Sequence, residues 1–233
     1  MSTPEVEKYR GIIKGMSQEE LELIADMLPV EVCHNRIGRE LQKAKAFKTE
    51  VMTALGQTEG MKQTARVIVT LACDRSCPGC CNTNGLDGIQ EVNLERLKDY
   101  EEVVLTGGEP LLMGDKFLVQ LIKKLRKQNR NQSIYLYTAN LALDEHEKVL
   151  DLLDGITVTL HAEATDNDIR SLKYMSENLY GEPLDMRLFI DERVYDRYDL
   201  SNIRMSTWDV VRKLKWLDRC EPADNEDLLM LRL

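Results

Sequence analysis

Residues 66–81 read Arg66-Val67-Ile68-Val69-Thr70-Leu71-Ala72-Cys73-Asp74-Arg75-Ser76-Cys77-Pro78-Gly79-Cys80-Cys81, an apolar, β-branched run followed at once by a CxxxCxxC loop. The run predicts a strand over 65–71, and the loop leaves its carboxyl end. Four of the chain's six cysteines fall in residues 73–81, a clustering that argues for metal or redox chemistry in a reducing compartment rather than a disulfide framework. Cys73, Cys77 and Cys80 on one loop can ligate three irons of a 4Fe-4S cube, which leaves one iron open to a non-protein ligand. Pro78 and Gly79 suit a backbone that must fold tightly around such a cube. A structural zinc site would need a fourth donor from a second CxxC or CxxH pair. The remaining cysteines, Cys33 and Cys220, are isolated and provide neither that pair nor an auxiliary cluster.

Downstream, Val103-Val104-Leu105 predicts a second strand, over 102–106, and it runs into Thr106-Gly107-Gly108-Glu109-Pro110. Beyond it, apolar runs alternate with helix-period segments, the pattern of βα units around a parallel sheet. Further strands are expected at 133–138, 156–161, 186–190 and 228–233. Phe117, Leu118, Leu121, Ile122 and Leu125 form one helical stripe, and Ile169, Leu172, Met175 and Leu179 a second. A third helix is expected to be capped by Ser206 and Asp209 and to carry Val210, Val211, Leu214 and Leu217. Gly155 and Gly181 are read as left-handed helix C-caps. Six parallel strands with outer helices make an α/β partial (βα)6 barrel over residues 63–233. Residues 1–62 read as a helical N-terminal extension, in which Ser17 and Glu20 form a capping box and Gly56 and Gly60 mark the boundary. Sites in parallel α/β folds gather at the carboxyl ends of strands, where the cysteine loop and the Gly107–Pro110 segment both fall.

At 233 residues with a formal net charge of −9, the chain suits one barrel-sized domain and is a poor match for a nucleic-acid backbone. The basic group Lys123, Lys124, Arg126, Lys127 and Arg130 is read as a solvated helix face. No apolar run reaches the length of a membrane span, and the start lacks a secretory signal, so a cytoplasmic protein is expected.

The CxxxCxxC loop and the Gly107-Gly108-Glu109-Pro110 strand end together resemble the radical S-adenosylmethionine (SAM) superfamily, over roughly residues 63–233. That resemblance implies a 4Fe-4S cluster held by Cys73, Cys77 and Cys80, with SAM chelating the open iron. It also implies reductive cleavage to a 5'-deoxyadenosyl radical that takes hydrogen from a substrate. It places the amino group of SAM at Gly107, Gly108, Glu109 and Pro110. Polar contacts to its carboxylate and ribose are implied at Thr138, Asn140, Thr159 and His161, with Ile190 on the adenine. Gly79, Cys81 and Asn82 of the loop are also implied beside the cofactor, Cys81 as a neighbouring thiol rather than a ligand. For His161 the position alone supports the role, and a plain structural histidine fits it as well.

The segment Cys77-Pro78-Gly79-Cys80-Cys81-Asn82 is similar to the loop of anaerobic ribonucleotide reductase activating enzymes, though Cys81 stands where they carry histidine. Two substrate classes follow: a glycyl-radical partner protein, or a small metabolite, nucleotide or peptide. A flavodoxin- or ferredoxin-type donor is implied in either case. A non-catalytic metal-binding module stands as the reading outside enzymology.

Overall fold

The computed structural model describes residues 64–77, 80, 82, 86–179, 184–215 and 225–232, together with Ser17. All of these except Ser17 belong to the unit Lys62–Leu233. The helices expected in residues 1–62 lie outside the described residues, as do Cys33, Pro78, Gly79, Cys81, Gly181 and Cys220.

Eight strands are described: β1 (Thr64–Thr70), β2 (Gln90–Val92), β3 (Glu102–Gly107), β4 (Ser133–Thr138), β5 (Gly155–Leu160), β6 (Asp185–Asp191), β7 (Val210–Leu214) and β8 (Glu226–Leu231). They form one sheet in the order β2-β8-β1-β3-β4-β5-β6-β7, and every pairing is parallel. The six expected strands make up its contiguous centre, β8-β1-β3-β4-β5-β6. The expected count of six is corrected to eight, because β2 and β7 add one parallel strand at each edge. The result is an α/β fold, a single parallel sheet flanked by helices as in a partial barrel.

One face of the central strands carries the apolar core. Leu229, Val67, Leu105, Leu136, Val158 and Leu188, one from each central strand, are buried in a single cluster with Leu118, Leu121, Ile122 and Leu125 of α1 (Asp115–Gln128). Leu172 and Met175, from the second expected stripe, join the same cluster. Two short helices, α2 (Glu147–Leu150) and α4 (Glu192–Tyr195), flank the longer α3 (Asp166–Asn178) in sequence. Burial of both sheet faces explains why these strands read as near-continuous apolar runs. The opposite face is mixed: the Arg187 guanidinium lies 4.1 Å from the Tyr135 ring centroid and Arg66 lies 5.6 Å from that of Tyr137.

The expected third helix is corrected to a strand. Val210–Leu214 forms β7 beside β6, and a short 3-10 turn, Met205–Thr207, precedes it. Asp209 sets the register: its N–H donates to the Met186 carbonyl at 2.8 Å, and its carboxylate accepts from the Met186 N–H at 3.0 Å. Two consecutive β-branched residues then favour the extended chain. Val210, Val211 and Leu214 had suggested a helical stripe, but Val211 is exposed on the sheet edge. Gly155 is corrected as well. It opens β5 rather than capping a helix, and a side chain there would collide with the Tyr135 ring and the Asp185 carbonyl.

Candidate metal centre

The cysteine loop leaves β1 and is seated on the end of β3 by backbone hydrogen bonds. The Gly108 N–H donates to the Thr70 carbonyl at 2.7 Å and the Glu109 N–H to the Ala72 carbonyl at 2.8 Å. This approach requires both glycines. Gly107 has φ of +125°, and a Cβ on it would overlap the Thr70 carbonyl; a Cβ on Gly108 would overlap that of Ala72. Asn82, beyond the cysteines, donates its side-chain amide to the Gly107 carbonyl at 2.9 Å, so the loop is tied to the same strand end at both sides. Within the loop the Cys80 N–H donates to the Cys77 carbonyl at 3.2 Å, and the Arg75 N–H to Cys73 Sγ at 3.5 Å.

Glu109 is almost fully buried, and three protein donors face its carboxylate. Oε1 accepts from the Leu111 N–H at 3.1 Å and the Thr138 hydroxyl at 2.8 Å, and Oε2 from the Ala139 N–H at 2.9 Å. The side chain therefore caps the 3-10 turn Pro110–Met113 and joins the ends of β3 and β4. Thr138 passes the network on by accepting from the Asn140 N–H at 2.9 Å, while Asn140 Oδ1 accepts from the Ala142 N–H at 2.8 Å. Thr159 sits half-buried near the end of β5. Ile190, next to last in β6, is fully buried in the apolar core.

The far side of the loop is held by charge. The Cys77 thiol donates to Glu163 Oε1 at 2.8 Å, Arg75 Nη1 lies 3.9 Å from the same oxygen, and Arg75 Nη2 pairs with Asp168 Oδ1 at 2.8 Å. Asp168 also closes the capping box of α3 with Thr165. Burial works against ionisation of Asp168, but the Thr165 N–H, the Thr165 hydroxyl and the Arg75 guanidinium together hold its carboxyl below the usual range. The loop carrying His161 and Glu163 is braced in turn: Arg197 donates to the carbonyls of Ala162 and Ala164, and the Tyr198 hydroxyl donates to the Ala164 carbonyl at 3.0 Å. Arg75, Glu163 and Asp168 were not singled out in the sequence. The faint signals were the arginine inside the CxxxCxxC spacing and the glutamate two residues after His161.

Two of the thiols, Cys73 and Cys77, are shifted by their surroundings. Burial raises the Cys73 thiol above its ordinary value, Asp74 and Glu109 add to the rise, and the charge of Cys80 contributes. Burial and then the Glu163 carboxylate push the Cys77 thiol far up, with Cys80 and Cys73 adding to it. Burial lowers His161, opposed by Glu163. Metal-free, the loop holds Cys73 and Cys77 as neutral thiols, and bound iron would draw off their protons.

A single zinc ion with several sulfur ligands would bring those sulfurs within about 4 Å of one another. Among the described residues, Cys73, Cys77 and Cys80 are not a group of donor atoms lying within 4.8 Å of one another. Three thiolates on one loop match the three protein-held corners of a 4Fe-4S cluster.

Comparison with protein families finds that the family described as a 4Fe-4S single cluster domain matches residues 55–178, just over half of the chain. The match spans the cysteine loop, the Gly107–Pro110 strand end and the His161–Glu163 loop. Comparison with curated proteins finds no match. Among the described residues, no helix is long and apolar enough to cross a membrane.

Proposed function

The chain belongs to the 4Fe-4S single cluster domain family, and from that premise we propose that it is a radical SAM enzyme. One observation supports this reading above the others: Thr70 and Ala72, which lead into the cysteine loop, are hydrogen-bonded to Gly108 and Glu109 at the end of the adjacent strand. Cluster ligands and the segment proposed to receive the amino acid end of SAM are thereby held side by side at the carboxyl ends of β1 and β3, where parallel α/β folds place their chemistry.

In this reading Cys73, Cys77 and Cys80 hold the cluster and leave one iron for SAM. When bound and reduced, the cluster supplies the electron that splits the sulfonium into methionine and a 5'-deoxyadenosyl radical, which then takes a hydrogen atom from the substrate. The chain's own residues bind and orient. Glu109, fixed by three donors, holds the Gly107–Pro110 turn against β4 so that its backbone carbonyls present a constant surface to an ammonium group. Thr138, Asn140, Thr159 and His161 follow at the ends of the next two strands, suited to the carboxylate and ribose. Asn82 borders the cofactor from the loop, tied to the Gly107 carbonyl; Gly79, Cys81 and, for the adenine, Ile190 are assigned beside the cofactor by the resemblance. The electron comes from a flavodoxin- or ferredoxin-type donor, and the substrate is a glycyl-radical partner protein or a small molecule.

The test is anaerobic reconstitution with iron and sulfide, followed by a reductant and SAM. Methionine and 5'-deoxyadenosine should appear in equal amounts, and Cys77→Ala should abolish both cluster and products. A fully loaded cluster that leaves SAM intact would overturn the reading and favour a metal-binding module. Stable capture of a glycyl-radical protein by the loaded enzyme would select the protein substrate over the small one.

A further inference from the structure

The Cys77 thiol serves two neighbourhoods. On one side it belongs to the three-cysteine loop. On the other it meets a ring nitrogen of His161 and a carboxylate oxygen of Glu163, and these three donor atoms lie within 4.8 Å of one another. We propose that Cys77, His161 and Glu163 form a second, mononuclear site for a borderline divalent cation such as Zn2+ or Co2+, exclusive with the cluster because both require the Cys77 thiolate.

The donor set is the first support. One sulfur, one imidazole nitrogen and one carboxylate oxygen match the ligands that zinc and cobalt accept, and three protein donors leave a fourth tetrahedral position for water. Tetrahedral bonds to such donors place the ligand atoms about 3.3–3.6 Å apart. The Cys77–Glu163 edge, a thiol hydrogen bond of 2.8 Å, must open, and the two edges to His161, each within 4.8 Å, need contract by no more than about 1.5 Å. The cation replaces that proton. The thiol proton passes to solvent, Cys77 and Glu163 supply two negative charges, and His161 binds as the neutral ring.

Glu163 supplies a second, independent support. Its Oε2 is buried and has no hydrogen-bond partner among the described residues, while Oε1 is engaged by Cys77. An unsatisfied buried carboxylate oxygen beside a thiol and an imidazole is costly unless something positive completes it. The scaffold is also in place: Arg197 and Tyr198 fix the carbonyls flanking Glu163, and Arg75, held by Asp168, prevents the carboxylate from swinging away. Cys73 and Cys80 take no part in the group. The site is therefore chemically separable from the cluster although it shares one sulfur with it. An ion bound there withholds Cys77 and blocks cluster assembly, whether or not the loaded protein cleaves SAM.

The test uses the full chain, freed of iron and kept reduced under oxygen-free conditions, titrated with Co2+. One equivalent should bind and give a thiolate-to-cobalt charge-transfer band with intense tetrahedral absorption. His161→Ala and Glu163→Gln should each weaken binding by about tenfold or more, losses at least as large as those from removing a ligand's supporting partner. Cys73→Ala and Cys80→Ala should leave the spectrum unchanged. Cys77→Ser should abolish the charge-transfer band; circular dichroism confirms folding of each variant, and if Cys77→Ser does not fold, the contrast between His161→Ala and Cys73→Ala carries the test. Zn2+ added beforehand should also slow cluster assembly in the unmodified chain and not in His161→Ala. A spectrum lost equally in Cys73→Ala, one indifferent to His161 and Glu163, or no binding would each overturn the proposal.

Discussion

The two sides of the cysteine loop are held by different physics. Toward β3 the attachment is backbone to backbone, closed by glycines that tolerate no side chain and by a buried carboxylate with three donors. Toward α3 it is side chain to side chain, through Arg75, Glu163 and Asp168, all of them partly exposed to solvent. A backbone seat of this kind is either made or broken, because buried amides cannot be left without partners. An ionic latch is graded, responds to pH and salt, and contributes little stability where water reaches it. The loop is thus fixed where the candidate cofactor segment lies and adjustable on the side that carries the second group of metal donors.

The largest effect is expected from breaking the seat. Gly108→Ala forces a methyl group into the Ala72 carbonyl, a backbone atom that cannot move without releasing the loop, so a loss of about 3 kcal/mol is expected in chemical denaturation. Iron bound per chain after reconstitution should fall with it. If Gly108→Ala retains both, the seat is not what positions the loop. Next in size is Glu109→Gln. An amide group cannot accept from all three donors, so one buried donor meets an NH2 group, at a cost of about 1–3 kcal/mol. The loss should show in thermal melting even with no cluster or SAM present. A variant that lost SAM binding alone would instead mark Glu109 as a direct ligand.

The same contrast explains what the sequence disclosed. The central strands were legible because burial on both faces leaves nearly unbroken apolar runs, as in Val67–Val69 or Ile134–Leu136. β7 was missed because Val210, Val211 and Leu214 fit a helix period and an edge strand equally, and the deciding contact, Asp209 with Met186, spans 23 residues. β2 has only three residues, two of them polar, and carries no pattern at all. At the site, the cysteine spacing and the two glycines are local signatures. Arg75 and Glu163 are not: their partners lie 93 and 86 residues away in the chain, and only the parallel sheet brings the loops after β1 and β5 together.

The smallest effect sharpens the other half of the comparison. Asp168 has a carboxyl held below its ordinary value, against burial, by Thr165 and Arg75. A group whose folded value is depressed stabilises the fold above its unfolded value, near pH 4, and that contribution is lost as pH falls through the folded value. The unmodified chain should therefore lose stability as the pH falls below about 4, in part through this carboxyl. Arg75→Ala removes one of the groups that depress it, leaving the Thr165 cap, so the acid slope should become shallower and stability at pH 7 should drop by only about 0.5–1 kcal/mol, the scale of a partly exposed pair. Urea denaturation from pH 7 down through that range measures both. An unchanged slope in Arg75→Ala would mean that the cap alone sets Asp168, and the loop would then be held on that side by the Cys77 to Glu163 hydrogen bond rather than by an arginine latch.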